Sequence, residues 1–339
     1  MTYKILVDGP AWLGDIIMAQ VLFRRLKQDY PNAKLDVMVP QSLVAVVEAM
    51  SEVDTVLGHP FEHNQLALYE RVQWARRLSA HQYDWAILTR NSLKSALIPF
   101  FARIPRRTGW LGEWRYGVVN DIRARDHTRT PLMVEQLLAL ALPPTASIPA
   151  EYALPALHVP EAQAHQVLQQ LQLSLRRPVI ALAPGAAYGP AKQWPADRFA
   201  ELAKILVAKG YQVVLLGAAQ DVPIAHAIMQ AVGDDPVYNL VGKTKLQQVI
   251  ALLSMVEVAV CNDSGLMHMA AALGRRVVVI YGATSALHTP PLAPNVRTLQ
   301  RGLSCQPCFS RTCPLDHYRC LREISAGMVW SAVDAVQKA

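Results

Sequence analysis

The stretch AVCNDSGLMHMAA, Ala259–Ala271, decides how this chain is read. An apolar run, Val256–Val260, ends in the polar tetrad Asn262-Asp263-Ser264-Gly265, and helix-compatible residues follow from Leu266. The order predicts a strand, a tight turn and a helix. Such a turn offers backbone N–H groups without intrahelical partners at the positive end of a helix, a natural cradle for phosphate. Asp263 or Ser264 equally suits a plain N-cap. The local sequence leaves both readings open.

The same alternation extends outward in both directions. Downstream of Pro160, strands are expected at Val179–Ala183, Gln212–Leu216, Val237–Leu240, Val256–Val260 and Arg276–Tyr281, with helices between them and a last helix at Ser325–Gln337. Upstream, strands at Tyr3–Val7, Leu35–Val39, Thr55–Leu57 and Trp85–Leu88 alternate with helices in the same way. Strands joined through helices imply parallel sheets covered on both faces, an α/β fold. Five prolines between Pro143 and Pro160 mark a linker. Two doubly wound domains are therefore expected, with a cleft at the carboxyl ends of both sheets.

Composition agrees. The chain has 339 residues, 52% of them hydrophobic and 17% charged, and a formal net charge of +7. That describes a folded protein with an anionic partner. No block of adjacent basic residues suggests a nucleic-acid arm, and no apolar run reaches membrane-spanning length. The reading is a cytoplasmic chain, at most peripheral to a membrane.

Several loops carry candidate chemistry. Asp15 stands where the turn Gly9–Gly14 meets its helix, as a dipole-stabilising carboxylate or a general base. Arg103–Arg129 holds seven arginines, two tryptophans and no lysine, and reads either as a solvated loop with packed aromatics or, the reading favoured, as an acceptor-binding loop whose guanidiniums suit phosphate and carboxylate. Ala183–Pro195 (APGAAYGPAKQWP) sets Lys192 in a shaped loop before a helix, a design for diphosphate but not a Walker loop. Gly217 with Asp221, and Gly242, end further strands; a carboxylate at Asp221 suits ribose hydroxyls or a helix cap. His268 lies one turn into the helix after Asp263, at the site or beneath it.

Together, GPAWLGDIIMAQ from Gly9, NSLKSALIPFFARIPRRTGWLGEWRYGVVND from Asn91, PLMVEQ from Pro131, the Lys192 loop, CNDSGLMHMAAAL from Cys261 and YGATSALHTPPL from Tyr281 resemble the bacterial lipopolysaccharide heptosyltransferases, glycosyltransferase family 9. The resemblance implies a GT-B fold of two Rossmann-like domains. Residues 1–155 would bind acceptor, 156–321 would bind ADP-heptose, and a closing helix at 322–339 would pack back on the first domain. It implies inverting transfer of L-glycero-D-manno-heptose from ADP-heptose to the first heptose of heptosyl-Kdo2-lipid A, with no metal or other cofactor required for transfer. A related heptosyltransferase with a different acceptor, or a non-catalytic nucleotide-sugar-binding protein, is the alternative.

Carried over by position, Asp15 is the base and Lys192 the catalytic cation. Donor contacts fall to Gly185, Ala186, Lys192, Gly217, Asp221, Gly242, Asn262, Asp263, Ser264, Gly265, Leu266 and His268. Acceptor contacts fall to Trp12, Asn91, Arg106, Arg107 and Arg115. The place of work would be the cytoplasmic face of the anionic inner membrane, with no nucleic-acid partner.

Cys305, Cys308, Cys313 and Cys320 cluster within sixteen residues. The spacing suits a structural zinc or iron site, paired cysteines or free thiols.

Overall fold

The structure, a computed structural model, describes residues 2–61 and 65–338. The first residue of the expected domain 1–155 and the last of the helix 322–339 lie outside the described residues. The chain divides into two compact units, Met1–Leu157 and His158–Ala339, so the division falls inside the proline-rich linker.

The first unit is built on β1 (Lys4–Asp8), β2 (Lys34–Pro40), β3 (Thr55–His59), β4 (Trp85–Leu88), β5 (Arg106–Trp110) and β6 (Asp121–Arg123), in the order β3-β2-β1-β4-β5-β6. The second is built on β7 (Val179–Ala183), β8 (Gln212–Leu215), β9 (Val237–Asn239), β10 (Val258–Asn262), β11 (Arg276–Ile280) and β12 (Val296–Leu299), in the order β12-β11-β10-β7-β8-β9. Every named strand pairs in parallel. Both sheets thus share one doubly wound Rossmann order, with switch points between β1 and β4 and between β7 and β10.

The central strands are continuous apolar runs because both faces are covered. Every residue of β7 and β10 is buried. In the second unit, Phe199, Leu202, Ala203 and Leu206 form one stripe of the helix Ala196–Ala208 and pack with Ile180, Leu182, Val213 and Leu215. The register aligns Cys261 with Ala183 and Asn262 with Ile280. The loops after β7, β10 and β11 therefore leave the sheet side by side.

Two expectations need correction. The last helix, Ala326–Lys338, was expected to pack back on the first unit. Its apolar stripe Ala326, Val329, Ala332, Val333 and Val336 instead joins the core of the second, with Val258, Val260, Val278 and Ile280. Burying such side chains is worth roughly 1.5–3 kcal/mol for each valine-sized group, which fixes the helix there. The arginine-rich span is also no single loop: it contains β5 and β6. Arg106 lies over the Trp85 ring at 4.0 Å, and the Thr108 hydroxyl accepts from Trp85 Nε1 at 2.7 Å. Polar residues make this strand because Trp85 and Asp121 supply partners that periodicity does not reveal.

Candidate active site

At the switch point of the second unit, Asn262 is fully buried at the end of β10. Its Nδ2 donates to the Pro184 carbonyl at 2.8 Å, and its Oδ1 accepts from the Trp194 amide at 3.0 Å. The side chain ties both ends of the lysine loop to the sheet. The polar side-chain atoms of Asn262, expected as a donor contact, are engaged within the chain.

Between those ties, the turn Pro190–Lys192 brings the Lys192 ammonium to Asp263. Lys192 Nζ donates to Asp263 Oδ2 at 2.7 Å, and the Thr284 hydroxyl donates to the same oxygen at 2.6 Å. Asp263 and Thr284 are buried and Lys192 is half-buried. The Asp263 carboxylate is thus engaged by Lys192 and Thr284 and does not cap the following helix. Ser264 occupies the N-cap of the helix Gly265–Ala272 without a side-chain cap bond, and its buried Oγ has no hydrogen-bond partner. The first-turn amides of Gly265 and Leu266 sit at the positive end of that helix, beside the Lys192–Asp263 pair.

His268 is buried beneath this turn. Burial pushes its imidazole down to about 4, with Asp263 opposing the shift and Lys192 adding to it, so the ring is neutral at pH 7.

The expected glycine contacts have internal causes. A Cβ on Gly185 would overlap the Asp221 carboxylate, and one on Gly217 would stand 3.0 Å from it. Asp221 is buried and accepts from the Ala218 amide at 2.9 Å; burial raises its carboxyl and that amide partly offsets the rise. Gly242 takes a left-handed φ of +71° and donates its amide to the Gly217 carbonyl at 3.1 Å. Ala186 is buried. These residues shape the floor through one another.

In the first unit, Trp12 is exposed and precedes the helix Leu13–Met18, whose first turn carries the half-buried Asp15. At the switch point, Asp8 is fully buried and ion-paired with Arg90; burial raises its carboxyl and Arg90 opposes the rise. Asn91 follows, with a buried Oδ1 that has no partner.

The three arginines expected at the acceptor are engaged at home. Arg106 pairs with Asp121 at 3.1 Å. Arg107 Nε donates to the Val118 carbonyl at 2.6 Å and Nη1 to that of Ile104 at 2.5 Å. Arg115, 2% exposed, donates to the carbonyls of Arg90 and Trp110. These guanidiniums brace the β5–β6 corner. Trp114 remains at 88% exposure.

Sequence reasoning missed Thr284, Tyr188 and Arg311. Thr284 is reached only through the β10–β11 register, and Arg311 only through the return of the cysteine segment. Cys305, Cys308, Cys313 and Cys320 line one small cavity with His317, Ala191, Gly282 and Ala283. All four are free thiols, and among the described residues no three His, Cys, Asp or Glu side chains are placed to hold a metal ion.

Paired Rossmann-type sheets, with a lysine and an open helix N-terminus at one switch point, are the parts of a nucleotide-sugar-dependent glycosyltransferase. The profile of glycosyltransferase family 9 (heptosyltransferase) matches residues 71–319. Lipopolysaccharide heptosyltransferase 2 of Escherichia coli K12 is 43% identical over 305 residues, 88% of each chain. Its Salmonella typhimurium counterpart is 44% identical over the same shares. The solved structure of E. coli ADP-heptose lipopolysaccharide heptosyltransferase II superposes with a TM-score of 0.91 at 38% identity, covering 99% of this chain and 98% of that one. The chain belongs to glycosyltransferase family 9, and it is an α/β glycosyltransferase.

Proposed function

We propose that this chain transfers L-glycero-D-manno-heptose from ADP-heptose to the first heptose of heptosyl-Kdo2-lipid A, in assembly of the lipopolysaccharide inner core. The relatives named heptosyltransferase 2 support the choice of reaction. The observation that carries it is the convergence of Lys192, Asp263 and Thr284 on the N-terminus of Gly265–Ala272.

Bond cleavage at the anomeric carbon moves charge onto the departing ADP. The first-turn amides and the Lys192 ammonium meet that charge where it grows, so they stabilise the transition state more than the bound donor. In the resting protein Asp263 holds the ammonium. An arriving diphosphate draws it away, and the Thr284 hydroxyl keeps the carboxylate hydrogen-bonded. Asp15 is the base that takes the proton from the acceptor hydroxyl as it attacks, and a single displacement inverts the configuration. Asn91, with its spare buried oxygen, and exposed Trp12 are the acceptor contacts that this reading retains.

Work at the cytoplasmic face of the inner membrane belongs to the same proposal. Among the described residues, no helix is long and apolar enough to cross a membrane. Exposed Trp12, Phe100, Phe101 and Trp114 on a unit rich in arginine suit contact with an anionic lipid surface.

Incubation with ADP-heptose and heptosyl-Kdo2-lipid A tests the proposal. The product should gain the mass of one heptose and carry the inverted anomeric configuration. An unmodified acceptor with intact donor refutes it.

A further inference from the structure

The Lys192–Asp263 pair adds no net charge to the donor site, because ammonium and carboxylate lie 2.7 Å apart. A helix N-terminus is equivalent to roughly half an elementary charge. Each phosphate of a diphosphate diester is anionic, so these groups alone leave the ligand short of compensation.

Arg311 stands beside the lysine loop. It is exposed and, among the described residues, has no carboxylate within ion-pair distance. Its guanidinium carbon is 5.5 Å from the centre of the Tyr188 ring, and Lys192 Nζ is 4.9 Å from the centre of the same ring. Two cations thus share one tyrosine of the lysine loop.

The position of Arg311 is built. Its carbonyl accepts from the Ala191 amide at 3.0 Å, beside Lys192 in sequence. Gly189, at a φ of +148°, must be glycine because a Cβ there would lie 2.6 Å from that same carbonyl oxygen. Nearby, the Tyr188 hydroxyl donates to the Phe309 carbonyl at 2.5 Å, and the Phe309 amide donates to Ala283 at 2.8 Å. The cysteine segment is stitched at these points to the lysine loop and to the segment carrying Thr284.

We propose that Arg311 is the second cation of the donor site and binds the diphosphate of the nucleotide sugar. This rests on the donor-site reading given above, and it gives the cysteine segment a purpose: to carry an arginine to the lysine loop.

The test is calorimetric binding of ADP and of adenosine to the full chain and to the Arg311→Gln and Arg311→Lys variants. Arg311→Gln should weaken ADP about tenfold or more, as expected for one charge-assisted contact, and leave adenosine unchanged. Arg311→Lys should recover part of the loss. ADP affinity in Arg311→Gln within about twofold of the unsubstituted chain, on a scale where tenfold is a single lost contact, overturns the inference alone. Equal loss of ADP and adenosine also overturns it, since the loop rather than the charge would be at fault. Failure of the unsubstituted chain to bind ADP overturns the donor-site reading itself.

Discussion

Lys192 and Asp263 are seventy-one residues apart in sequence, and their side chains meet at 2.7 Å over the start of the helix Gly265–Ala272. The pair joins the loop after β7 to the loop after β10 at the switch point of the second sheet. In the proposed reaction the pair holds the lysine charge beside the helix N-terminus that receives the diphosphate. Lys192→Ala should therefore cost both binding and rate, with kcat/KM for ADP-heptose falling about 10²–10³-fold, the range for loss of one preorganised electrostatic group. Steady-state kinetics with varied donor checks this. Unchanged donor kinetics would make Lys192 a stabilising partner of Asp263 and no more.

Thr284 shares the Asp263 oxygen with Lys192, so its hydroxyl matters most when the lysine has turned to the donor. Thr284→Val should lower kcat/KM for the donor about tenfold, the cost of one hydrogen bond to a charged group, and Thr284→Ser should restore most of it. Equal losses in both variants would assign Thr284 to packing.

Asp15→Asn keeps the size of the side chain and removes its basicity. Turnover should fall at least about a hundredfold, the contribution expected of a general base. ADP affinity, measured by calorimetry, should remain within about twofold, since tenfold is the scale of one lost contact. Near-normal turnover would remove Asp15 from the role of base.

His268 makes a prediction about stability. Its folded value, about 4, lies below the ordinary 6.5, so between those values the unfolded chain binds more protons. Stability from the neutral ring is fully present above 6.5, falls as pH drops toward 4, and changes no further below it. His59 adds to the acid side, because burial, Arg90 and Arg71 push it to about 3. Melting followed from pH 7 to pH 4 should show a decline that is shallower in His268→Gln, by an amount of order 3 kcal/mol. Identical slopes would mean that His268 titrates normally.

The cysteine segment should react unevenly. Burial pushes the Cys313 thiol up, but backbone amides of Tyr318, Leu315, His317 and Asp316 outweigh it and hold the thiol below its ordinary value. Burial and the neighbouring thiols raise Cys320. Limited alkylation at pH 7.5 followed by peptide mapping should therefore mark Cys313 before Cys320. The reverse order would contradict the placement of those amides.

Much of this was legible in the sequence, for physical reasons. Val179–Ala183 and Val258–Asn262 are apolar on both faces, and buried parallel strands have few other ways to be written. Lys192 and Asp263 were legible because each stands at a strand-to-helix turn. Thr284 was not, because its importance comes from the pairing of β10 with β11. The arginines were ambiguous because a guanidinium looks the same in sequence whether it awaits a phosphate or, like Arg107 and Arg115, donates to a run of carbonyls. The last helix misled for a related reason: an apolar stripe such as Val329, Val333 and Val336 shows that a face is buried, not which core buries it.

Heptosyl transfer from ADP-heptose to a core that already carries one heptose can be read from ADP release with two acceptors. Purified protein is mixed with ADP-heptose and either heptosyl-Kdo2-lipid A or Kdo2-lipid A without heptose. The first acceptor should give stoichiometric ADP release and a diheptosyl product, and the second only background hydrolysis. Equal or faster release with the heptose-free acceptor, or no release with either, would contradict it.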